Sequence, residues 1–139
     1  MRSLPGALLV DQMQGGFVTC CAVRVDQGGA MTIANAGHLP QYHDGAELPV
    51  IAGVPLGIDS SVDYEESQFL LEPGSSLTLV SDGIVEARNA AGELFGFDRT
   101  LQLSNTGASA IAQAAVNFGQ EDDITVLRLT FSPAEVVHA

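Results

Sequence analysis

Ser76-Leu77-Thr78-Leu79-Val80-Ser81-Asp82-Gly83-Ile84-Val85-Glu86-Ala87-Arg88 is the stretch on which the reading of the fold turns. Ser76 to Val80 reads as a buried strand, and it runs directly into an acid and a glycine. A carboxylate at the end of a buried strand is costly unless it is paired or binds a cation. Gly83 permits the close approach of a ligand or a neighbouring backbone. The residues from Asp82 to Arg88 are expected to form a short helix, and Asn89-Ala90-Ala91-Gly92 a turn.

Working outward, Glu72-Pro73-Gly74 turns the chain before this strand, and Tyr64 to Leu71 alternates as a strand should. Further upstream, Phe17 to Asp26 and Ala30 to Ala36 read as strands joined through Gln27-Gly28-Gly29 into a hairpin. A turn follows at Asn35-Ala36-Gly37-His38. Leu39 to His43 and Ala46 to Val50 flank Asp44-Gly45 as a second short hairpin, and Gly53, Pro55 and Gly57 mark an irregular loop. Downstream, Gly96 to Arg99 is expected to begin a connection. Ser109 to Phe118 is the clearest helix, with Ile111, Ala115 and Phe118 on one apolar face and Gly119 at its end. Ile124 to Phe131 is the final strand. Many strands and few helices predict an α+β fold with a largely antiparallel sheet.

The chain has 139 residues, 46% of them hydrophobic and 16% charged. That is one globular domain, too apolar to be disordered, with a smaller charged surface than the usual share of about 25%. Seventeen acids stand against five arginines and no lysine, for a formal net charge of −12. Phosphate backbones and anionic lipid surfaces bind clustered cations. Arg2, Arg24, Arg88, Arg99 and Arg128 are scattered singly, so neither nucleic acid nor membrane is an expected partner. The apolar run Ala7 to Val10 is too short for a signal-peptide core or a membrane span. Cys20 and Cys21 are adjacent and imply no disulfide framework, which fits a reducing, cytoplasmic compartment.

A second acidic position is Glu121-Asp122-Asp123, immediately before the last strand. Three like charges at a strand mouth repel, and a hard divalent cation would relieve them. Each feature also has an ordinary reading: Asp-Gly after a strand is a common turn, and an acidic triplet a solvated loop. No nucleophilic triad, paired CxxC, Walker loop or GxGxxG segment is present.

Taken in order, Phe17-Val18-Thr19, Asn35-Ala36-Gly37-His38-Leu39-Pro40, Pro55-Leu56-Gly57-Ile58, Glu72-Pro73-Gly74, Ser81 to Arg88, Gly92-Glu93-Leu94-Phe95-Gly96 and Gln120-Glu121-Asp122-Asp123-Ile124-Thr125 closely resemble the stage II sporulation protein E group of PP2C-like (PPM) serine/threonine phosphatases. The resemblance runs from Phe17 to about Leu129. It implies a sandwich of two mainly antiparallel β-sheets flanked by helices, with two Mn²⁺ or Mg²⁺ ions at one edge. By the same resemblance Asp82 matches the metal-binding aspartate of an Asp-Gly pair, Gly83 is the metal-adjacent backbone, and Asp122 matches a second metal ligand with Asp123 in the adjacent slot. Gly37 and His38 are the candidate site-shaping loop. The implied activity is metal-dependent dephosphorylation of phosphoserine or phosphothreonine proteins. The implied partner is a phosphorylated anti-sigma factor antagonist of bacterial partner-switching regulation.

The family's first half carries an Asp, followed by a Gly-rich turn and a helix, that bridges both metals. No Asp-Val-x-Gly-x-Gly segment occurs in this sequence. Residues 17–131 are therefore expected to be the C-terminal portion of the domain, lacking its N-terminal strands and helix, after a lead-in at 1–16 and before a tail at 132–139. A bridging carboxylate holds two metals roughly 3.5 to 4 Å apart. Without it this span alone is expected to hold one ion or none, to be inactive, and to self-associate as a homodimer through open sheet edges. The alternative is a catalytically incomplete module that binds or regulates a partner protein.

Overall fold

The computed structural model describes residues 17–133. The expected lead-in at 1–16 and residues 134–139 of the expected tail lie outside the described residues. The elements are β1 (Cys20–Val25), β2 (Ala30–Ala36), β3 (Tyr42–His43), β4 (Ala46–Glu47), β5 (Ala52–Gly53), β6 (Glu66–Leu70), β7 (Ser76–Val80), α1 (Asp82–Val85), α2 (Gly96–Leu103), α3 (Ala108–Gly119) and β8 (Val126–Thr130). The mixed α+β class with antiparallel sheets is as the sequence predicts. The chain divides into two compact units, one holding described residues 17–38, 49–73 and 133 and the other 39–48 and 74–132.

In the first unit β1 and β2 pair antiparallel from Cys20↔Ala36 to Val25↔Met31. Their turn closes because the Asp26 carboxylate accepts from the Gly28 and Ala30 amides at 2.9 and 3.0 Å and Gly29 takes φ 89°. The other side of β2 pairs antiparallel with β6 and, at its end, parallel with β5. This two-residue parallel pair lies in what reads in sequence as loop. It forms through Asn35 and Ala36, which no local pattern reveals. Tyr64 pins the same region. Its ring lies against Gly53, where a Cβ would come within 2.7 Å, and its hydroxyl donates to the Val54 carbonyl at 2.8 Å.

In the second unit the strand order is β4-β3-β7-β8, antiparallel throughout. Asp44 at φ 47° and Gly45 at φ 86° make the tight β3–β4 hairpin. Tyr42, Val80, Ile84, Ala87, Phe95, Ile111 and Ala115 form the core. The expected face of α3 is the buried one: Ile111 and Ala115 are fully inside, and Phe118 meets Phe95 edge-on with ring centroids 5.4 Å apart. The expected helix from Asp82 to Arg88 is shorter, ending at Val85.

The expected connection at Gly96 to Arg99 is instead the first half of α2. It starts at a glycine with φ 79° and has no side-chain N-cap, so it lacks the start signal that sequence reading depends on. Arg99 instead ties the first turn to the residues just before it. Its guanidinium donates to the Leu94 and Phe95 carbonyls at 2.7 and 3.0 Å and lies 4.6 Å from the centroid of the Phe118 ring. The Phe118 contact is tertiary, and contacts of that kind override weak local propensity.

Candidate functional site

β7 and β8 run antiparallel with Val80 opposite Val126. Continuing that register past the strand ends sets Ser81 beside Thr125 and Gly83 beside Asp123, and the contacts bear this out. Ser81 donates its amide to the Thr125 carbonyl at 2.9 Å, and Thr125 returns its own amide to Ser81 Oγ at 2.8 Å. Gly83 is packed directly on the Asp123 carbonyl oxygen, with the Asp123 carbonyl carbon and Ile124 Cγ2 each 3.0 Å from where a Cβ would stand. A side chain at 83 would collide with that backbone. This is the physical reason for glycine here, and its φ is unremarkable.

The Asp-Gly turn and the acidic triplet therefore share one end of the sheet, although 40 positions separate Gly83 from Asp123. Asp82, Asp122 and Asp123 are all exposed there. Asp122 is the most organised of the three: its Oδ1 accepts from the Asp123 amide at 2.8 Å, and its carbonyl accepts from Gln120 Nε2 at 3.0 Å. Gly83, Glu86, Arg88, Leu94, Glu121 and Asp122 line a cleft of about 500 Å³ beside it. Asp123 contributes its backbone to Gly83, and neither it nor Asp82 is among the lining residues.

All-oxygen donors of this kind suit Mg²⁺ or Mn²⁺. Their number is short of a complete centre: among the described residues no three of His, Cys, Asp and Glu stand close enough together to hold an ion by themselves. The donor chemistry fits a hard cation, and a two-ion site would need further carboxylates.

Gly37 and His38 belong to the first unit. They sit in a turn held by Asn35, whose Oδ1 accepts from the His38 amide at 2.7 Å and whose Nδ2 donates to the His38 carbonyl at 3.1 Å. Gly37 has φ 70°, and a Cβ there would strike the Pro55 ring at 2.6 Å. Asn35 thus closes the turn that the sequence predicts from Asn35 to His38, and an Asn two residues before a Gly is the Asx-turn signal for that role.

The family model for stage II sporulation protein E (SpoIIE) matches residues 4–132. The chain belongs to this family. No curated protein matches it significantly. Among solved structures, the RsbU and RsbW domains of a Mycobacterium tuberculosis protein superpose with TM-score 0.71 at 20% identity, over 97% of this chain and 44% of that one. The manganese-presoaked phosphatase domain of SpoIIE from Bacillus subtilis gives TM-score 0.63 at 15% identity, over 99% of this chain and 78% of that one. The SiaA-PP2C domain of Pseudomonas aeruginosa gives 0.58 at 25% identity, over 76% and 48%. The fold of this SpoIIE-family chain is thus that of a PP2C-type phosphatase domain, and the chain spans under half the length of the first of these structures. Among the described residues no helix is long and apolar enough to cross a membrane.

Proposed function

We propose that this chain carries part of the active site of a metal-dependent phosphatase that acts on phosphoserine or phosphothreonine proteins. Asp82 and Asp122 are the metal ligands in this reading, with Asp123 beside them. The observation that carries it is the seating of Gly83 on the Asp123 carbonyl, which joins the two acidic stations within a SpoIIE family match. Bound Mn²⁺ or Mg²⁺ supplies the positive charge that phosphoryl transfer requires and that a chain of net charge −12 lacks. The described residues contribute the orienting: Gly83 sets the spacing, Ser81 and Thr125 lock the two strand ends, and Gln120 holds the backbone of Asp122. The carboxylates still needed for a second ion come, in this reading, from outside the described residues.

The substrate proposed is a phosphorylated anti-sigma factor antagonist of a bacterial partner-switching pathway, met in the cytoplasm. Two half-buried cysteines that form no disulfide fit that compartment. The test is Asp82→Asn in the intact protein. The Asp82 side chain is exposed, so the fold should keep its stability within about 0.5 kcal/mol. Mn²⁺-dependent hydrolysis of a phosphoserine peptide should be lost. Hydrolysis at the wild-type rate would overturn the reading. An intact protein that binds a partner tightly but turns over no phosphopeptide at any Mn²⁺ concentration would instead establish the non-catalytic module.

A further inference from the structure

Among the described residues the cleft beside Asp122 has one cationic side chain. Glu86, Glu121 and Asp122 line it, and so does Arg88, yet none of these acids comes within ion-pair distance of the guanidinium. The other described arginines of the second unit are occupied. Arg99 holds two carbonyls and the Phe118 ring, and Arg128 holds Ser104 and Asn105. Among the described residues Arg88 makes one long side-chain bond, from Nη1 to the Gly92 carbonyl at 3.3 Å.

Its backbone, by contrast, is fixed from three sides. The Arg88 amide donates to the Gly119 carbonyl at 3.2 Å, and the adjacent Ala87 carbonyl accepts from Phe95 at 2.8 Å. Arg88 forms an antiparallel bridge with Leu94. The Arg88 carbonyl rests on Gly119, whose φ of 137° and missing Cβ allow that approach. The Gly92 carbonyl is itself positioned by a turn in which Asn89 Oδ1 accepts from the Ala91 and Glu93 amides at 3.0 and 2.9 Å. The result is a backbone held on several sides, carrying a guanidinium that lines an acidic cleft and has donors unused among the described residues. Acids there repel a phosphoryl dianion, and a planar fork of N–H donors is the side chain that receives one bidentately.

We propose that Arg88 is a phosphate-binding residue that receives the phosphoryl dianion of the substrate beside Asp122. The proposal rests on the phosphatase reading above and extends it to substrate recognition. It is tested on the full chain with Mg²⁺ present, by NMR titration with inorganic phosphate, with a synthetic phosphoserine peptide and with the same peptide unphosphorylated. The phosphoserine peptide should bind and shift the Arg88 side-chain resonance, and the unphosphorylated peptide should not.

Arg88→Ala should weaken phosphopeptide binding about tenfold or more, and Arg88→Lys should restore part of the loss. Arg24→Ala, which removes the same charge from an exposed strand position in the first unit, should bind as wild type. Unchanged binding by Arg88→Ala, an equal loss in Arg24→Ala, or no phosphopeptide binding by the wild type would each overturn the proposal. Binding of inorganic phosphate without the phosphopeptide would overturn the substrate role and leave a free-phosphate site. In the intact protein the two readings separate. Phosphopeptide bound through Arg88 without hydrolysis sinks the phosphatase reading alone, whereas hydrolysis with an unchanged KM in Arg88→Ala sinks the Arg88 assignment alone.

Discussion

Gly83→Ala adds a single methyl group at a place where the candidate site has no room for it. The new Cβ would overlap the Asp123 carbonyl oxygen and stand 3.0 Å from both the Asp123 carbonyl carbon and Ile124 Cγ2. The oxygen belongs to the backbone, so no side-chain rotation relieves the clash, and the 121–125 segment must move away from β7. Overpacking of this kind costs about 1–3 kcal/mol. The movement also strains the reciprocal Ser81–Thr125 pair of 2.9 and 2.8 Å, in which each bond contributes about 1 kcal/mol. The expected loss is about 2–4 kcal/mol, equivalent for a domain of this size to a fall in Tm of about 8–16 °C.

Thermal unfolding followed by circular dichroism measures this directly. Gly92→Ala is the reference, since Gly92 has φ 80° but nothing within 4 Å of where its new methyl would stand, and it should cost only the backbone term of about 1 kcal/mol. A Tm for Gly83→Ala within about 2 °C of wild type, or above that of Gly92→Ala, would refute the reasoning. It would mean that the Asp-Gly turn and the acidic triplet are not locked together.

Further outcomes follow from the same contacts. Asp122→Ala should weaken Mn²⁺ binding in calorimetry far more than Asp123→Ala, because only Asp122 lines the cleft; the reverse ranking would move the ligand assignment by one residue. Asn35→Ala deletes both bonds that close the His38 turn and leaves the half-buried His38 amide and carbonyl to find water. It should lower stability by about 2 kcal/mol in urea unfolding at pH 7, and a change below about 0.5 kcal/mol would contradict that role. Burial, with the Glu47 carboxylate adding to it, pushes the Tyr42 hydroxyl up to about 12 from 10.0. The unfolded chain therefore loses this proton first, so stability should be full below pH 10 and fall as pH rises toward 12. Tyr42→Phe should flatten that decline, and an unchanged slope in urea midpoints between those limits would count against it.

What could be read in advance depended on how local the determinant is. Ser76–Val80 was legible to the residue because Pro73-Gly74 and Asp82-Gly83 bracket an unbroken strand-forming run. The face of α3 was legible because Ile111 and Ala115 lie one turn apart. α2 was not, since no capping residue marks its start and the arginine of its first turn packs on Phe118, 19 positions further on. β5 was not either, since two residues become a strand only by meeting Asn35 and Ala36. At the site, the sequence offered Asp82 and Asp122–Asp123 as separate acids. Their juxtaposition depends on the β7–β8 register, and the mount for Arg88 depends on Gly119, 31 positions further on. Neither relation has a signature within any short window.

The seam between Gly83 and Asp123 also has a kinetic consequence. All of α2 and α3 lies between its two sides, so the seam closes only after a long excursion of chain has been brought back, and closing such a loop is an entropic cost met before the contact rewards it. Before β8 docks on β7 the two acidic stations are not joined. Any ion or phosphoryl ligand that needs both stations therefore binds the finished fold and ignores its precursors. Such a ligand should slow unfolding by holding β8 in place and leave the early steps of folding at their unassisted rate.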